Sequence, residues 1–154
     1  MRSPDHLISW MRVEAHLAQG ALALAMWSPI ALHAAEPGQE ITGRWRLTAV
    51  LDSTQIVSID EKEARRLLGR VFTIRKEGAR FGSHICGRPD FETKRVETNL
   101  YLEKTDPYVN AKSLALPNPV TVVDIACTSV FIKNKDRIVI FWDGFYFDAL
   151  RLKK

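Results

Sequence analysis

Apolar and polar residues first alternate regularly over Arg44–Leu51, where Trp45, Leu47, Ala49 and Leu51 fall on one side of a period-two pattern and mostly polar residues on the other. That period marks a strand half buried against a core. The pattern then changes. Asp60 can cap a helix by accepting a backbone N–H, Glu63 stands three residues on to complete a capping box, and Ile59 and Ala64 occupy the positions of a hydrophobic staple. Gly69 supplies the stop. The predicted helix, Glu61 to Leu68, offers only Ala64, Leu67 and Leu68 as a narrow apolar stripe, suited to lying across a sheet or plugging a barrel end.

From Arg70 onward the pattern is β again. Arg70–Lys76 and Ala79–Cys86 flank a turn at Glu77-Gly78, Gly87-Arg88-Pro89-Asp90 breaks the second of these strands, and a third alternating stretch ends in Asn99–Glu103. Thr105–Pro119 carries three prolines and reads as a long loop, a length more often functional than merely connecting. Val120–Cys127, Ser129–Lys133, Arg137–Trp142 and Phe145–Leu152 complete the strands, with turns at Asn134-Lys135-Asp136 and Asp143-Gly144. The expected fold is mainly β: about eight antiparallel strands closed into a barrel, since closure removes exposed edges, with one short α-helix.

The last hairpin is unusual because Phe141-Trp142 and Phe145-Tyr146-Phe147 place aromatics on both of its faces. One set is core. The other must be covered by the helix, by the Thr105–Pro119 loop, or by a ligand or partner, and the apolar stripe of the helix makes it the expected cover.

Ahead of this domain, Ala15 to Leu32 is a run of small apolar residues closing in Leu32-His33-Ala34-Ala35 before Glu36-Pro37-Gly38. Small residues at such a boundary are what signal peptidase requires, so residues 1–35 read as a signal peptide and 36–154 as a single β-barrel domain, secreted or periplasmic. Met11-Arg12-Val13-Glu14 would make a more economical start, and an uncleaved membrane anchor is the competing reading of the apolar run, weakened by Gln19, Pro29 and His33. The removed part is neutral, so the formal charge of +4 stays with the domain. It is scattered, with no run of five or more like charges, which argues for solvated faces rather than a nucleic-acid site.

Two cysteines, Cys86 and Cys127, remain in the domain. In an oxidising compartment their expected state is one disulfide. A metal site built from His84, Cys86, Asp124 and Cys127 is the alternative, disfavoured because His84 is the only histidine after residue 35 and no C-x-x-C occurs.

Gly43-Arg44-Trp45, a G-x-W opening the first strand, together with Arg151 in the last strand, resembles the lipocalin and calycin group of small β-barrels. That resemblance implies a barrel whose base is closed by Arg151 against Trp45. Thr105-Asp106-Pro107-Tyr108 is similar to the group's T-D-Y loop motif, with a proline inserted. Two departures stand beside it: the helix comes after the first strand rather than the last, and the chain is short for the group.

Catalytic patterns are missing from the sequence after residue 35: it holds no G-x-S-x-G, H-E-x-x-H, P-loop or glycine-rich dinucleotide motif. Asp60, Glu61 and Glu63 are explained by the helix N-terminus, and Asp143, which with Asp148 could form an acidic pair, by its turn. The expectation is therefore a non-enzymatic exported binding protein, without cofactor or metal, that takes a small apolar or amphipathic ligand in the barrel. The alternative is a protein-binding inhibitor or immunity-type protein directed at a hydrolase or toxin. Tyr108, Val109 and Leu114 of the long loop and Trp142 and Tyr146 of the hairpin are the expected ligand or partner contacts.

Overall fold

The computed structural model describes residues 38–153, so the signal-peptide reading of residues 1–35 lies outside the described residues. Nine strands, all paired antiparallel, form one sheet: β1 Gly43–Ser53, β2 Val71–Arg75, β3 Gly78–Phe81, β4 His84–Cys86, β5 Glu92–Val96, β6 Val120–Asp124, β7 Ser129–Asn134, β8 Arg137–Trp142 and β9 Phe145–Arg151. Their order across the sheet is β4-β3-β2-β1-β9-β8-β7-β6-β5. The mainly β expectation holds, with the sheet curled into a half-barrel. Edges β4 and β5 do not pair with each other, so hydrogen bonding does not complete the ring.

A covalent bond brings the two ends together instead. Cys86 ends β4, Cys127 lies in the turn between β6 and β7, and the two form a disulfide with their Cα atoms 5.6 Å apart. The curl brings Trp45, Leu47, Phe72, Ile74, Ile138, Ile140 and Phe147 into one fully buried cluster on the concave side. Phe72 stacks on Phe81 at 5.3 Å, and Trp142 meets both rings edge-on at 5.5 and 5.4 Å. The concave side is thus filled by side chains.

One end of the half-barrel is fastened around Trp45. A 3-10 turn, Gln39–Ile41, leads into β1, and the Ile41 carbonyl accepts the buried Trp45 indole N–H at 2.7 Å. Arg151 lies over the indole at 4.1 Å and donates to the carbonyls of Lys135, Thr42 and Glu40 at 2.8, 2.8 and 2.6 Å. Gly43 is what lets the guanidinium in. Its φ is +146°, and a Cβ there would sit 2.8 Å from an Arg151 nitrogen.

The first helix, α1 Glu61–Arg66, forms as its caps dictate: the Asp60 carboxylate accepts from the Glu63 N–H at 2.7 Å and the Glu63 carboxylate from the Asp60 N–H at 3.1 Å. Ala64 and Ile59 pack on the concave core. Two expected elements differ. Ala79–Cys86 is not one strand, because Gly82-Ser83 turns it back so that Phe81 pairs with His84. The stretch read as strand up to Glu103 is a helix, α2 Thr98–Thr105, and α3 Ala111–Leu114 follows it. Glu97 caps α2 by accepting from the Leu100 N–H at 2.7 Å, and Asn110 caps α3 by accepting from Lys112 and Ser113, both at 3.0 Å.

Helices α2 and α3 cover the other face of the sheet. Leu102, Val109 and Leu114 are buried there against Val120, Val122, Phe131, Val139 and Tyr146. The outer aromatics of the last hairpin are therefore covered by the Thr98–Leu114 segment, not by α1 as expected from its stripe. Thr105–Pro119 is a packed layer rather than a free loop.

Because the disulfide spans a sequence separation of 41 and replaces hydrogen-bonded closure, Cys86→Ala/Cys127→Ala should lose roughly 4 kcal/mol of stability by the chain-entropy estimate. Urea unfolding of the oxidised protein and the double variant measures it. A loss below about 1 kcal/mol would mean that packing alone holds the ends together.

Candidate functional site

The outer layer does not cover the whole convex face. Where α2 ends, a cleft of about 420 Å³ opens, walled by Tyr101, Phe131, Phe141 and Tyr146, with Asp106 and Tyr108 on one side and Thr54 and Ile56 on the other. The aromatic rings come from four elements. Phe141 and Tyr146 pair directly across the β8–β9 hairpin with ring centroids 4.9 Å apart, Phe131 of β7 is 5.9 Å from Tyr146, and Tyr101 of α2 is 6.1 Å from Phe131.

The rim is set by the same hairpin. Asp143 and Gly144 both have positive φ, 50° and 89°, which matches the right-handed twist of the strands they join. Gly144 lacks the Cβ that would strike Val57 at 2.7 Å, so the chain after β1 can lie on the turn. The Thr54 N–H donates to the Gly144 carbonyl at 2.8 Å and the Ser58 N–H to the Asp143 carbonyl at 3.1 Å, pinning both ends of the segment that carries Ile56. Ile56 is 88% exposed on one rim and Tyr108 64% exposed near the other.

Asp106 sits at the inner side of the cleft, 7% exposed. Its carboxylate accepts from the Tyr146 hydroxyl at 3.3 Å. It takes part in none of the ion pairs formed among the described residues. Burial, then the Asp106 charge and this hydrogen bond, push the Tyr146 phenol well above the ordinary tyrosine range, so Tyr146 stays a donor at neutral pH.

Asp148, also on the convex face, is the opposite case. It is 4% exposed, and its carboxylate accepts from Lys133 at 2.8 Å, Arg137 at 2.6 Å and Thr48 at 2.7 Å. Burial opposes its ionisation, but the hydrogen bonds from Lys133 and Thr48 and the two cationic charges outweigh it and hold the carboxyl below its ordinary value. Every demand of this carboxylate is met within the fold, which marks a structural network. It is not an acidic pair with Asp143.

Of the residues expected to contact a ligand, Tyr146 and Tyr108 line the cleft. Val109 and Leu114 do not reach a partner, because they are the apolar anchors of the outer layer, 4% and 0% exposed. Trp142 lies on the concave side with Phe72, Phe81 and His84, opposite to Tyr146. Hairpin parity predicts this: with the turn at 143–144, position 141 opposes 146 and position 142 opposes 145. Phe141 could have been paired with Tyr146 on that count. Phe131, Asp106 and Ile56 carry no such signal. His84 packs edge-on to Trp142 at 5.7 Å, and no group of three or more metal-ligating side chains gathers among the described residues. The register places Arg44 and Arg80 in one row on the convex face, with Thr73 between them.

Comparison of the chain with protein-family models, with curated proteins and with solved structures finds no match in any of the three.

Leu114→Ala should cost about 2–5 kcal/mol as a large-to-small core change, while Tyr108→Ala should stay within about 0.5 kcal/mol. Thermal unfolding of the two variants checks the contrast, and equal losses would contradict the division between layer and rim. Asp148→Asn should cost about 2 kcal/mol at neutral pH, less than a wholly buried pair because Arg137 is half exposed. Since the folded-state pKa of Asp148 is depressed, its contribution is complete above the ordinary carboxylate value and is lost as pH falls through the folded value. The stability gap between wild type and Asp148→Asn, measured by urea unfolding along a pH series, should therefore close on the acid side. A gap that persists unchanged at the lowest pH would contradict this.

Proposed function

We propose that the protein is an exported, non-enzymatic binding protein whose small apolar or amphipathic ligand seats in the convex-face cleft rather than inside the curled sheet. The cleft carries the reading: about 420 Å³ of space lined by five aromatic side chains, Ile56 and Pro107, with Thr54, Gln55, Thr105, Asp106 and Ser129 as polar groups, has the mixed apolar and polar composition of a small-molecule site. The concave side supports the relocation, because its central inward residues, Trp45, Phe72, Ile140 and Phe147 among them, are fully buried against one another. The disulfide is compatible with an oxidising exported location, and among the described residues no helix is long and apolar enough to cross a membrane.

A second reading rests on the rim. Ile56 and Tyr108 stand out from the surface beside the cleft, the kind of exposed apolar anchors by which an inhibitor or immunity-type protein grips a partner. The filled concave core suits that role as well.

Titration with N-phenyl-1-naphthylamine, an uncharged fluorescent apolar probe, separates the two. Saturable binding of about one probe per chain is expected, weakened severalfold in Ile56→Glu/Tyr108→Glu at an unchanged melting temperature, because both positions are exposed. Absence of saturable binding by the folded wild type removes the small-ligand reading and leaves the protein-binding one.

A further inference from the structure

The two buried carboxylates of the convex face are unequally provided for. Asp148 has two cations and a hydroxyl within hydrogen-bond reach. Asp106 has the Tyr146 hydroxyl and is in no ion pair among the described residues, although it is nearly as buried. A carboxylate withdrawn from water without a cation is a costly arrangement, and the cost is relieved when a cation arrives.

What surrounds Asp106 is suited to that arrival. Tyr101, Phe131, Phe141 and Tyr146 present rings within about one ring diameter of one another along the cleft, and Tyr108 adds a fifth at its margin. Aromatic faces carry negative quadrupole potential, and a set of them around one space is the established chemistry for holding amine and alkylated ammonium groups. A neutral ligand would use the apolar area but leave Asp106 unanswered. An anionic ligand would meet a like charge.

Building on the cleft as the ligand site, we infer that its ligand is cationic: an amine or alkylated ammonium head lodged among these rings against Asp106, with an apolar tail running out past Ile56 and Tyr108. Among the described residues no cation is paired with Asp106, so the head displaces none there. The tail meets the two most exposed apolar side chains of the rim, which gives them a partner in the bound state.

Three probes of similar alkyl length test this by isothermal titration calorimetry on the intact oxidised protein: octyltrimethylammonium, octanol and octanoate. The ammonium probe should bind about tenfold more tightly than octanol, with octanoate weakest, and Asp106→Asn should remove that preference. The comparison among wild-type titrations needs no variant, so it decides even if Asp106→Asn folds poorly. Octanol and octyltrimethylammonium binding equally well to the wild type would overturn the cationic ligand while leaving the cleft as a binding site. If none of the three binds, the cleft reading itself fails, and this inference with it.

Discussion

A sheet that is apolar on both faces has to be covered twice, and the β8–β9 hairpin imposes that requirement on this fold. Ile140, Trp142, Phe145 and Phe147 turn to one side, while Val139, Phe141 and Tyr146 turn to the other. Curling solves the first side, because the concave surface then packs against itself and needs only α1 and the Gln39–Ile41 turn to close its ends. The second side cannot be covered by curling. It takes a separate layer, supplied by the segment between β5 and β6, whose Leu102, Val109 and Leu114 dip into the convex face. Few apolar residues in that layer means incomplete cover, and the cleft lies where the cover stops, over Phe131, Phe141 and Tyr146. The candidate site is thus a consequence of how the hairpin is sheathed.

Closure of the curl follows a related logic. Two free edges would remain as strand-pairing templates if the sheet were simply left open. Short β4, of three residues, limits one edge, and the Cys86–Cys127 disulfide fastens that edge near the far end of the strand order. At the base, Arg151 ties Trp45 to the entering chain and to the β7–β8 turn through three backbone carbonyls. That contact accounts physically for a glycine two residues before a buried tryptophan and an arginine in the paired last strand.

The parts legible in the sequence are those governed by local rules. Period-two alternation located β1, the Asp60–Glu63 capping box located α1, and Asp143-Gly144 located the hairpin, because each depends on residues within a few positions of one another. Helix α2 was missed because its apolar residues Leu100 and Leu102 alternate like a strand. Leu102 and Thr98 are buried and Tyr101 packs on the same cluster, while Leu100 faces solvent, so the packed face is a polar and aromatic mixture rather than an aliphatic stripe. The outer layer failed to appear for a different reason. Its prolines and caps look like those of a loop, and its burial is decided by a convex apolar face assembled from strands far away in sequence. Asp106 is the extreme case. Nothing near it in the chain says that it will be shut in beside Tyr146, 40 residues on.

Placing the cleft on the convex face separates what holds the protein together from what it can recognise. Trp45, Phe72, Phe147 and the disulfide belong to the concave cluster, so the residues that resist unfolding are remote from the rim formed by Ile56 and Tyr108. A ligand site inside a barrel cannot be reshaped without disturbing core packing, where a change of even one methylene is felt. Here Tyr108, Ile56 and Gln55 can be exchanged at little expense to stability, since most of their surface is already in water. Only the inner wall is shared between the two tasks. Phe131 and Tyr146 serve both as core of the outer layer and as floor of the cleft, so the position of the floor is as rigid as the sheet itself. Under the proposed reading, recognition would rest on a fixed aromatic floor with one buried carboxylate, and selectivity on an adjustable rim.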